Sequence, residues 1–148
     1  MRRHALAVLA FAVATFATQA ASHFLVNAEH YATVAHIRKA PIFPLGIAAM
    51  LIEGMILTSV YTRMTGTGRS LGHALRFAWL VGGFLVSYTA LAEAAKYTVP
   101  EVTSWIAIEV AAGFVQFTLY GLMLGWVHRN RVAAPKEALL EAPSANEL

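Results

Sequence analysis

The stretch IFPLGIAAMLIEGMILTSVY, residues 42–61, carries a single charged side chain, that of Glu53, in an otherwise apolar run. A helix needs about 20 mainly apolar residues to cross a hydrocarbon core of about 30 Å, so this stretch predicts a membrane-spanning helix. Three further stretches have similar length and composition, residues 5–26, 75–97 and 104–127. Lipid cannot hydrogen-bond to open backbone groups, so each stretch must be helical. The sequence therefore predicts an all-α, four-helix transmembrane bundle in residues 1–131.

The composition separates this chain from soluble domains. Of 148 residues, 58% are hydrophobic and 13% are charged, whereas about a quarter of the residues in soluble domains are charged. The chain has no cysteine, which excludes disulfides and thiolate metal sites. The net charge of +3 does not indicate nucleic acid, because the arginines cluster at the ends of the apolar stretches. Residues 132–148 have little apolar content and predict a disordered cytoplasmic tail.

The distribution of lysine and arginine predicts the orientation. One face collects eight of them, Arg2, Arg3, Arg63, Arg69, Arg76, Arg129, Arg131 and Lys136, and the other face collects three, Arg38, Lys39 and Lys96. The positive-inside rule then places both termini in the cytoplasm, and we expect a multi-pass protein of the bacterial inner membrane. The three tryptophans, Trp79, Trp105 and Trp126, fit interfacial anchors.

The first apolar stretch has two interpretations. Arg2, Arg3 and the following apolar run resemble a signal peptide, whereas a retained helix agrees better with an apolar run that continues past the candidate cleavage site. No proline or glycine precedes Pro41. One helix could therefore extend from residue 1 to residue 40, and we expect residues 27–39 to project from the outer surface or to lie along it.

Three glutamates, Glu53, Glu93 and Glu109, each lie inside a different predicted span. A carboxylate at that depth costs several kcal/mol unless it is neutralised, paired or hydrated, and it is a functional hypothesis by default. Counting about 1.5 Å of rise per residue places all three in the outer half of the membrane.

Helical spacing puts other polar residues on the same faces as these glutamates. The first helix carries Gln19, His23, Asn27 and His30 on one stripe, and the fourth carries Glu109, Gln116 and Tyr120. We predict that the polar faces converge on an outward-facing pocket. Its candidate binding residues are Glu53, Glu93, Glu109, His23, Asn27, His30, Gln116, Lys96 and Tyr120.

Each glutamate also has a purely structural interpretation. Glu93 could form an ion pair with Lys96 at i+3, and Glu109 could hydrogen-bond to Gln116 or Tyr120. The partner of Glu53 must come from another helix, or Glu53 must be protonated. Gly121 and Gly125 indicate close helix packing, against this chain or a second copy.

Metal, haem and hydrolase chemistry find little support. No glutamate is followed by histidine three residues later, as carboxylate-bridged di-iron bundles require. Haem between helices needs two facing histidines, and only the first helix has histidines at suitable depth. The chain has no aspartate for a Ser/His/Asp triad. We predict no metal and no cofactor.

Three segments, PIFPLG at residues 41–46, AEAAKY at 92–97 and QFTLYGLMLG at 116–125, carry a resemblance. Residues 20–130 resemble small four-helix bacterial membrane proteins of unknown function. The resemblance implies an inner-membrane location and supplies no reaction. The chain is also similar to small multidrug transporters in its four helices, but their essential glutamate lies in the first helix, where this chain has none.

Three functional hypotheses remain open. In the first, the pocket binds or transports a small polar or cationic molecule or protons, in a monomer or homodimer. In the alternative, the glutamates are interhelical hydrogen-bonding groups, and the chain is an accessory subunit of a larger membrane complex. The third is an intramembrane enzyme in which Glu53 is a general acid or base assisted by His23 and His30. The lipid bilayer is the one partner common to all three.

Overall fold

The structure is a computed structural model and describes residues 1–35, 37–38, 40–64 and 70–129. Within these residues the chain is helical and has no strand. Four helical spans are long and apolar enough to cross a membrane, Arg2–Val26, Phe43–Met64, Leu71–Lys96 and Val102–His128. The prediction of an all-α chain with four such helices is therefore confirmed. The predicted tail, residues 132–148, lies outside the described residues.

The spans are built from six α-helices and two π-helical segments. The α-helices are α1 (Arg2–Ala21), α2 (Ala28–Ala32), α3 (Phe43–Met64), α4 (Leu71–Ser87), α5 (Glu93–Lys96) and α6 (Val102–His128). The π-helical segments are π1 (Ser22–Val26), which continues α1, and π2 (Tyr88–Ala92), which joins α4 to α5. Pro44 lies in the first turn of α3, where its missing N–H removes no helical hydrogen bond.

The long helices pack in the order α3, α1, α6, α4. Helix α1 packs along both α3 and α6, and α6 also packs along α4. We call the end of the bundle that holds Arg2 and His128 the proximal end, and the opposite end the distal end. Helices α3 and α4 approach each other near the proximal end, where the ring centroids of Tyr61 and Phe77 are 5.2 Å apart.

Glycines allow the close approach of α4 and α6. A Cβ added at Gly121 would lie 3.0 Å from the Cβ of Ala78, and one at Gly125 would lie 3.2 Å from the Cβ of Ala74. Both distances are shorter than ordinary van der Waals contact. The glycine pair noted in the sequence thus packs against α4 of the same chain, by the small-residue mechanism common in membrane helices.

Two groups of buried apolar side chains lie at different levels of the bundle. The proximal cluster consists of Ala7, Phe11, Ala14, Leu57, Tyr61, Ala74, Phe77, Ala78, Phe117, Tyr120 and Leu124. The distal cluster consists of Tyr31, Val34, Val99 and Trp105, with Ile37, Ala94, Ile106 and Ile108 partly buried against it. Trp105 is only 3% exposed, so the prediction that it is an interfacial anchor is wrong.

The chain after the first span folds back over the distal end. The backbone turns at Asn27 (φ −118°, ψ 25°) before the short helix α2. Tyr31 and Val34 are then buried in the distal cluster. The possibility of one helix from residue 1 to residue 40 is therefore wrong. A projecting helix would leave these two apolar side chains in water, whereas folding back removes them from it.

Candidate functional site

A cavity of about 760 Å³ lies between the proximal and distal clusters. All three glutamates predicted in the spans, Glu53, Glu93 and Glu109, line it. The other polar residues that line it include Thr15, Gln19, His23, Thr89 and Gln116, and its aromatic residues are Phe84, Tyr88, Tyr97, Trp105 and Phe117. The structure therefore brings together acidic groups from α3, α5 and α6, although they are far apart in sequence.

Glu53 differs from the other two glutamates in its surroundings. Its side chain is half-buried, and it lines both this cavity and a second space of about 370 Å³ between α1 and α3. Within the described residues its carboxyl group accepts no hydrogen bond and forms no ion pair. A half-buried carboxyl group that has no protein partner is available to a ligand that enters the cavity.

A residue from outside the four long helical spans holds Glu109. The phenol of Tyr31 donates a hydrogen bond of 2.8 Å to Oε1 of Glu109, which is 9% exposed. Burial, together with the nearby Glu109 carboxylate, raises the pKa of the Tyr31 phenol, so this group stays protonated and able to donate. The two partners considered from the sequence, Gln116 and Tyr120, do not bond to Glu109: the Gln116 amide is bonded to Gln19 and Thr15, and Tyr120 is buried in the proximal cluster.

Gln116 instead joins α6 to α1. Its Oε1 accepts a 2.8 Å hydrogen bond from Nε2 of Gln19, and its Nε2 donates a 3.0 Å hydrogen bond to Oγ1 of Thr15. Both helices thus hold their amide and hydroxyl groups toward each other where the cavity meets the α1–α6 contact. Such bonds between membrane helices contribute about 0.6 kcal/mol each on average.

His23 has a defined tautomer in this structure. Its Nδ1 lies 3.1 Å from the carbonyl oxygen of Gln19. A carbonyl oxygen only accepts, so Nδ1 carries a proton and Nε2 is the nitrogen that gains or loses one. The imidazole stacks on the Tyr31 ring with centroids 3.7 Å apart and planes 12° apart. The ring therefore lines the cavity in a fixed orientation, beside the Tyr31–Glu109 pair.

Glu93 lines the cavity, whereas Lys96, three residues later, does not. Glu93 is the first residue of α5, is half-buried and lines the cavity. Lys96 is exposed, and its ammonium lies 5.2 Å from the centroid of the Tyr88 ring. This is the geometry of a cation–π interaction. A lysine ammonium therefore already lies over one of the aromatic rings that line the cavity.

Four predicted site residues do not line the cavity: Lys96, described above, and Asn27, His30 and Tyr120. Asn27 donates a 3.1 Å hydrogen bond to Oγ of Ser22 and faces a groove between α1 and α6. His30 lies beside the distal cluster, with its ring centroid 6.2 Å from that of Trp105. Tyr120 is fully buried in the proximal cluster. Helical spacing could not show that α1 continues as π1 and that the backbone turns at Asn27, so only Gln19 and His23 of the predicted first-helix stripe line the cavity.

Both π-helical segments occur at the level of the cavity. His23 belongs to π1, and Tyr88 and Thr89 belong to π2. Nε1 of Trp105 donates a 3.1 Å hydrogen bond to the carbonyl oxygen of Thr89. Short π-helical insertions are frequent at functional sites because they redirect side chains and free backbone carbonyl groups. The sequence carries no proline or glycine here that would signal either segment.

The cavity opens at the side of the bundle. The proximal and distal clusters cover its two ends, and α3 and α4 do not pack along each other at its level. On α4 and the segments that follow it, Phe84, Tyr88 and Tyr97 are 76%, 52% and 47% exposed. The sequence predicted a pocket that faces the outer side, and this stays a prediction. The folded-back segment with Tyr31 lies over the distal end of the bundle.

The cavity does not have the geometry of a metal site. Among the residues that the structure describes, no group of three or more histidine or acidic side chains lies close enough together to hold a metal ion. The three carboxyl groups thus share a space without converging on one point. The arrangement suits an occupant larger than a single ion.

Comparison of the chain with protein-family models, with curated proteins and with solved structures finds no match. The resemblance to small bacterial four-helix membrane proteins stays a prediction from the sequence.

Proposed function

We propose that this chain is a multi-pass membrane protein that binds a small organic cation in the cavity between α3 and α4. The observation that carries the proposal is the half-buried carboxyl group of Glu53, which lines the cavity with no hydrogen-bond or ion-pair partner among the described residues. Acidic residues within membrane spans are rare because they are costly, and they mark ligand and ion pathways. A bound cation would supply the charge partner that Glu53 lacks.

The chemistry of the lining favours an organic cation over a metal ion. The carboxyl groups do not converge as metal ligands would. Five aromatic side chains line the same space, and aromatic ring faces attract organic ammonium groups. Lys96 already places an ammonium over the Tyr88 ring. A cation with an apolar body would contact these rings while its charge faces Glu53.

The side opening suggests entry from within the bilayer. We place both termini in the cytoplasm of a bacterial cell, on the distribution of lysine and arginine. The cavity then lies in the outer half of the inner membrane, and its opening between α3 and α4 faces lipid. An amphiphilic cation that partitions into the membrane would reach the cavity without crossing the distal cluster.

Trp105 provides a direct test, because it lines the cavity and the other two tryptophans do not. In a variant with Trp79→Phe and Trp126→Phe, its fluorescence in detergent micelles is titrated with benzyltrimethylammonium. We expect saturable quenching, and no saturable quenching with the neutral isostere neopentylbenzene. Glu53→Gln in the same background should weaken binding at least about tenfold, which is 1.4 kcal/mol.

The matched control is Glu29→Gln, because Glu29 is exposed and does not line the cavity. This variant should bind the cation as the parent does. Equal affinity in the Glu53→Gln protein and its parent, with both proteins folded, would refute the proposal. An equal loss of cation affinity in the Glu29→Gln and Glu53→Gln proteins would also refute the proposal, because the effect would then come from the overall charge of the protein.

A structural role is the second candidate, and the surroundings of Glu109 and Gln116 favour it for those two residues. Glu109 is bonded to Tyr31, and Gln116 is bonded to Gln19 and Thr15. Such groups hold helices together without any ligand. If the chain is only an accessory subunit, Glu53→Gln should leave its assembly and thermal stability nearly unchanged. The chain should then copurify with a stoichiometric partner.

A further inference from the structure

Four buried polar side chains lie in the proximal half of the bundle, outside the acidic cavity. Thr58, Tyr61 and Tyr120 are 0% exposed, and His128 is 2% exposed. They come from α3 and α6 and lie along the contact between helices rather than on a lipid-facing surface. An apolar residue at any of these positions would avoid the cost of burying a polar group.

These side chains form a polar column, by which we mean Thr58, Tyr61, Tyr120 and His128. Tyr120 lies within interaction range of the side chains of Thr58 and Tyr61. The ring of Tyr61 lies 5.3 Å from that of His128, measured between centroids. The column therefore runs from Tyr120 toward the last residue of α6, and the next residue, Arg129, is exposed.

The upper end of the column adjoins the acidic cavity. Gln116 lines the cavity and lies four residues before Tyr120 on α6, which is one helical turn, or about 6 Å. Thr58 lies five residues after Glu53 on α3, or about 7.5 Å along the helix axis. Phe117, a member of the proximal cluster, also lines the cavity. A polar group on each of two helices, Tyr120 on α6 and Thr58 on α3, thus lies between the level of the cavity and the proximal end.

Oγ1 of Thr58 and the phenol oxygen of Tyr120 are buried within interaction range of each other, and neither forms a hydrogen bond of good geometry with any described residue. A buried hydroxyl without a partner costs about 1–3 kcal/mol, so each such group requires an explanation. The cost is explained if the hydroxyls pass a proton along the column.

We propose that the polar column conducts protons between the acidic cavity and the proximal end of the bundle. A proton that leaves the Glu53 carboxyl binds to one face of a hydroxyl or of a bridging water, while that group releases its own proton from the other face. Repetition through Thr58, Tyr120 and Tyr61 delivers a proton to the imidazole of His128, which releases one to the aqueous side. No group is oxidised, and each hydroxyl ends with the number of protons it had.

The experiment uses the full chain in phospholipid vesicles that contain a trapped pH-sensitive dye. A potassium gradient with valinomycin drives protons, and the rate of internal pH change is compared with that of protein-free vesicles. We expect a faster rate with the protein. Tyr120→Phe and Thr58→Val each remove a hydroxyl with little change of shape, and each should reduce the added rate at least about fivefold.

The matched control is Ser59→Ala, because the Ser59 hydroxyl bonds to the carbonyl oxygen of Met55 on its own helix, outside the column. It should conduct as the parent does. The proposal is overturned if the parent protein adds nothing to the vesicle rate. It is equally overturned if Tyr120→Phe and Thr58→Val, with unchanged thermal unfolding, conduct as well as the parent.

The two proposals fail separately. Tyr120→Phe should still quench Trp105 fluorescence on addition of benzyltrimethylammonium, because Tyr120 does not line the cavity. Loss of proton conduction with intact cation binding therefore supports the column. Absence of cation binding alongside proton conduction that depends on Tyr120 would refute the organic-cation site and leave the column supported.

Discussion

The Tyr31 phenol donates a 2.8 Å hydrogen bond to Oε1 of Glu109, across 78 positions of sequence. The bond joins the segment that follows the first span to the wall of the acidic cavity. It places the distal cluster over one end of that cavity. It also gives one of the three carboxyl groups a hydrogen-bond donor. Glu53, by contrast, has no partner in the described part of the chain.

Replacing Tyr31 by phenylalanine should destabilise the fold. The change leaves the aromatic packing of the distal cluster in place but removes the donor to a buried carboxyl group, which costs about 1 kcal/mol. Equilibrium unfolding in mixed micelles measures the loss. Tyr88→Phe is the control, because Tyr88 is exposed. An equal loss in both variants would contradict the role given to the Tyr31–Glu109 bond.

The amide pair Gln19 and Gln116 should show a measurable coupling energy. A double-mutant cycle with Gln19→Ala and Gln116→Ala isolates their 2.8 Å bond from the other contacts of each residue. We expect a favourable coupling of about 0.6 kcal/mol, the mean for such bonds between membrane helices. Additive single effects would mean that this bond contributes nothing to the α1–α6 contact.

Gly121→Ala should destabilise the α4–α6 contact, whereas Gly83→Ala should not. The added methyl at Gly121 would lie 3.1 Å from the Cα of Leu75, a backbone atom that cannot move away at low cost, but at Gly83 no atom lies within 4 Å. We expect a loss of about 1–3 kcal/mol at Gly121. At Gly83 the higher helix propensity of alanine should leave stability unchanged or slightly raised. Thermal unfolding of the two variants side by side checks the contrast.

Glu101 should make the stability of the fold depend on acid pH. Its carboxylate accepts hydrogen bonds from the backbone amides of Ser104 and Thr103 at the start of α6, and these lower its pKa from 4.5. The bonded carboxylate therefore stabilises the fold above that value, and the contribution disappears as pH falls through the lowered pKa. The thermal unfolding temperatures of the Glu101→Gln protein and the parent should differ at neutral pH and become equal in acid. A difference that persists unchanged in acid would contradict this assignment.

Lys96→Gln should strengthen binding of the organic cation. The Lys96 ammonium lies over the Tyr88 ring, and it repels a second positive charge while it occupies one face of that ring. We expect affinity for benzyltrimethylammonium to rise about twofold to fivefold, in line with the 0.5–1 kcal/mol of an exposed cation–π contact. Titration by Trp105 fluorescence measures it. Weaker binding would instead mean that Lys96 is needed to shape the opening.

Much of the architecture could be predicted because it follows from local composition. The four spans were evident from runs of apolar residues, and Gly121 and Gly125 indicated close packing of the fourth helix without showing that its neighbour is α4. The three glutamates line one cavity, as expected of acidic side chains in helices that cross a membrane, because such side chains turn away from lipid. For an acidic residue in an apolar helix, the sequence therefore predicts that the side chain faces the interior of the bundle.

The parts that sequence reasoning missed depend on contacts that are distant along the chain. The partner of Glu109 comes from α2, a helix of five residues with no span-like pattern. The turn at Asn27 that brings Tyr31 back over the bundle has neither proline nor glycine to mark it. The side opening follows from how α3 diverges from its neighbours, a property of packing that no single stretch encodes.

Helices α1 and α3 lie in tight contact one residue from Glu53. A Cβ at Gly54 would lie 3.2 Å from the carbonyl oxygen of Val8, whereas one at Gly46, near the distal end of α3, would have no atom within 4 Å. Helix α3 is thus anchored on α1 at Gly54, and toward the distal end a space of about 370 Å³ lies between the two helices. Tilting of α3 about this anchor would widen or narrow the entrance while moving the acidic group itself very little. Access of a ligand to the cavity and the affinity of Glu53 for that ligand can therefore vary independently.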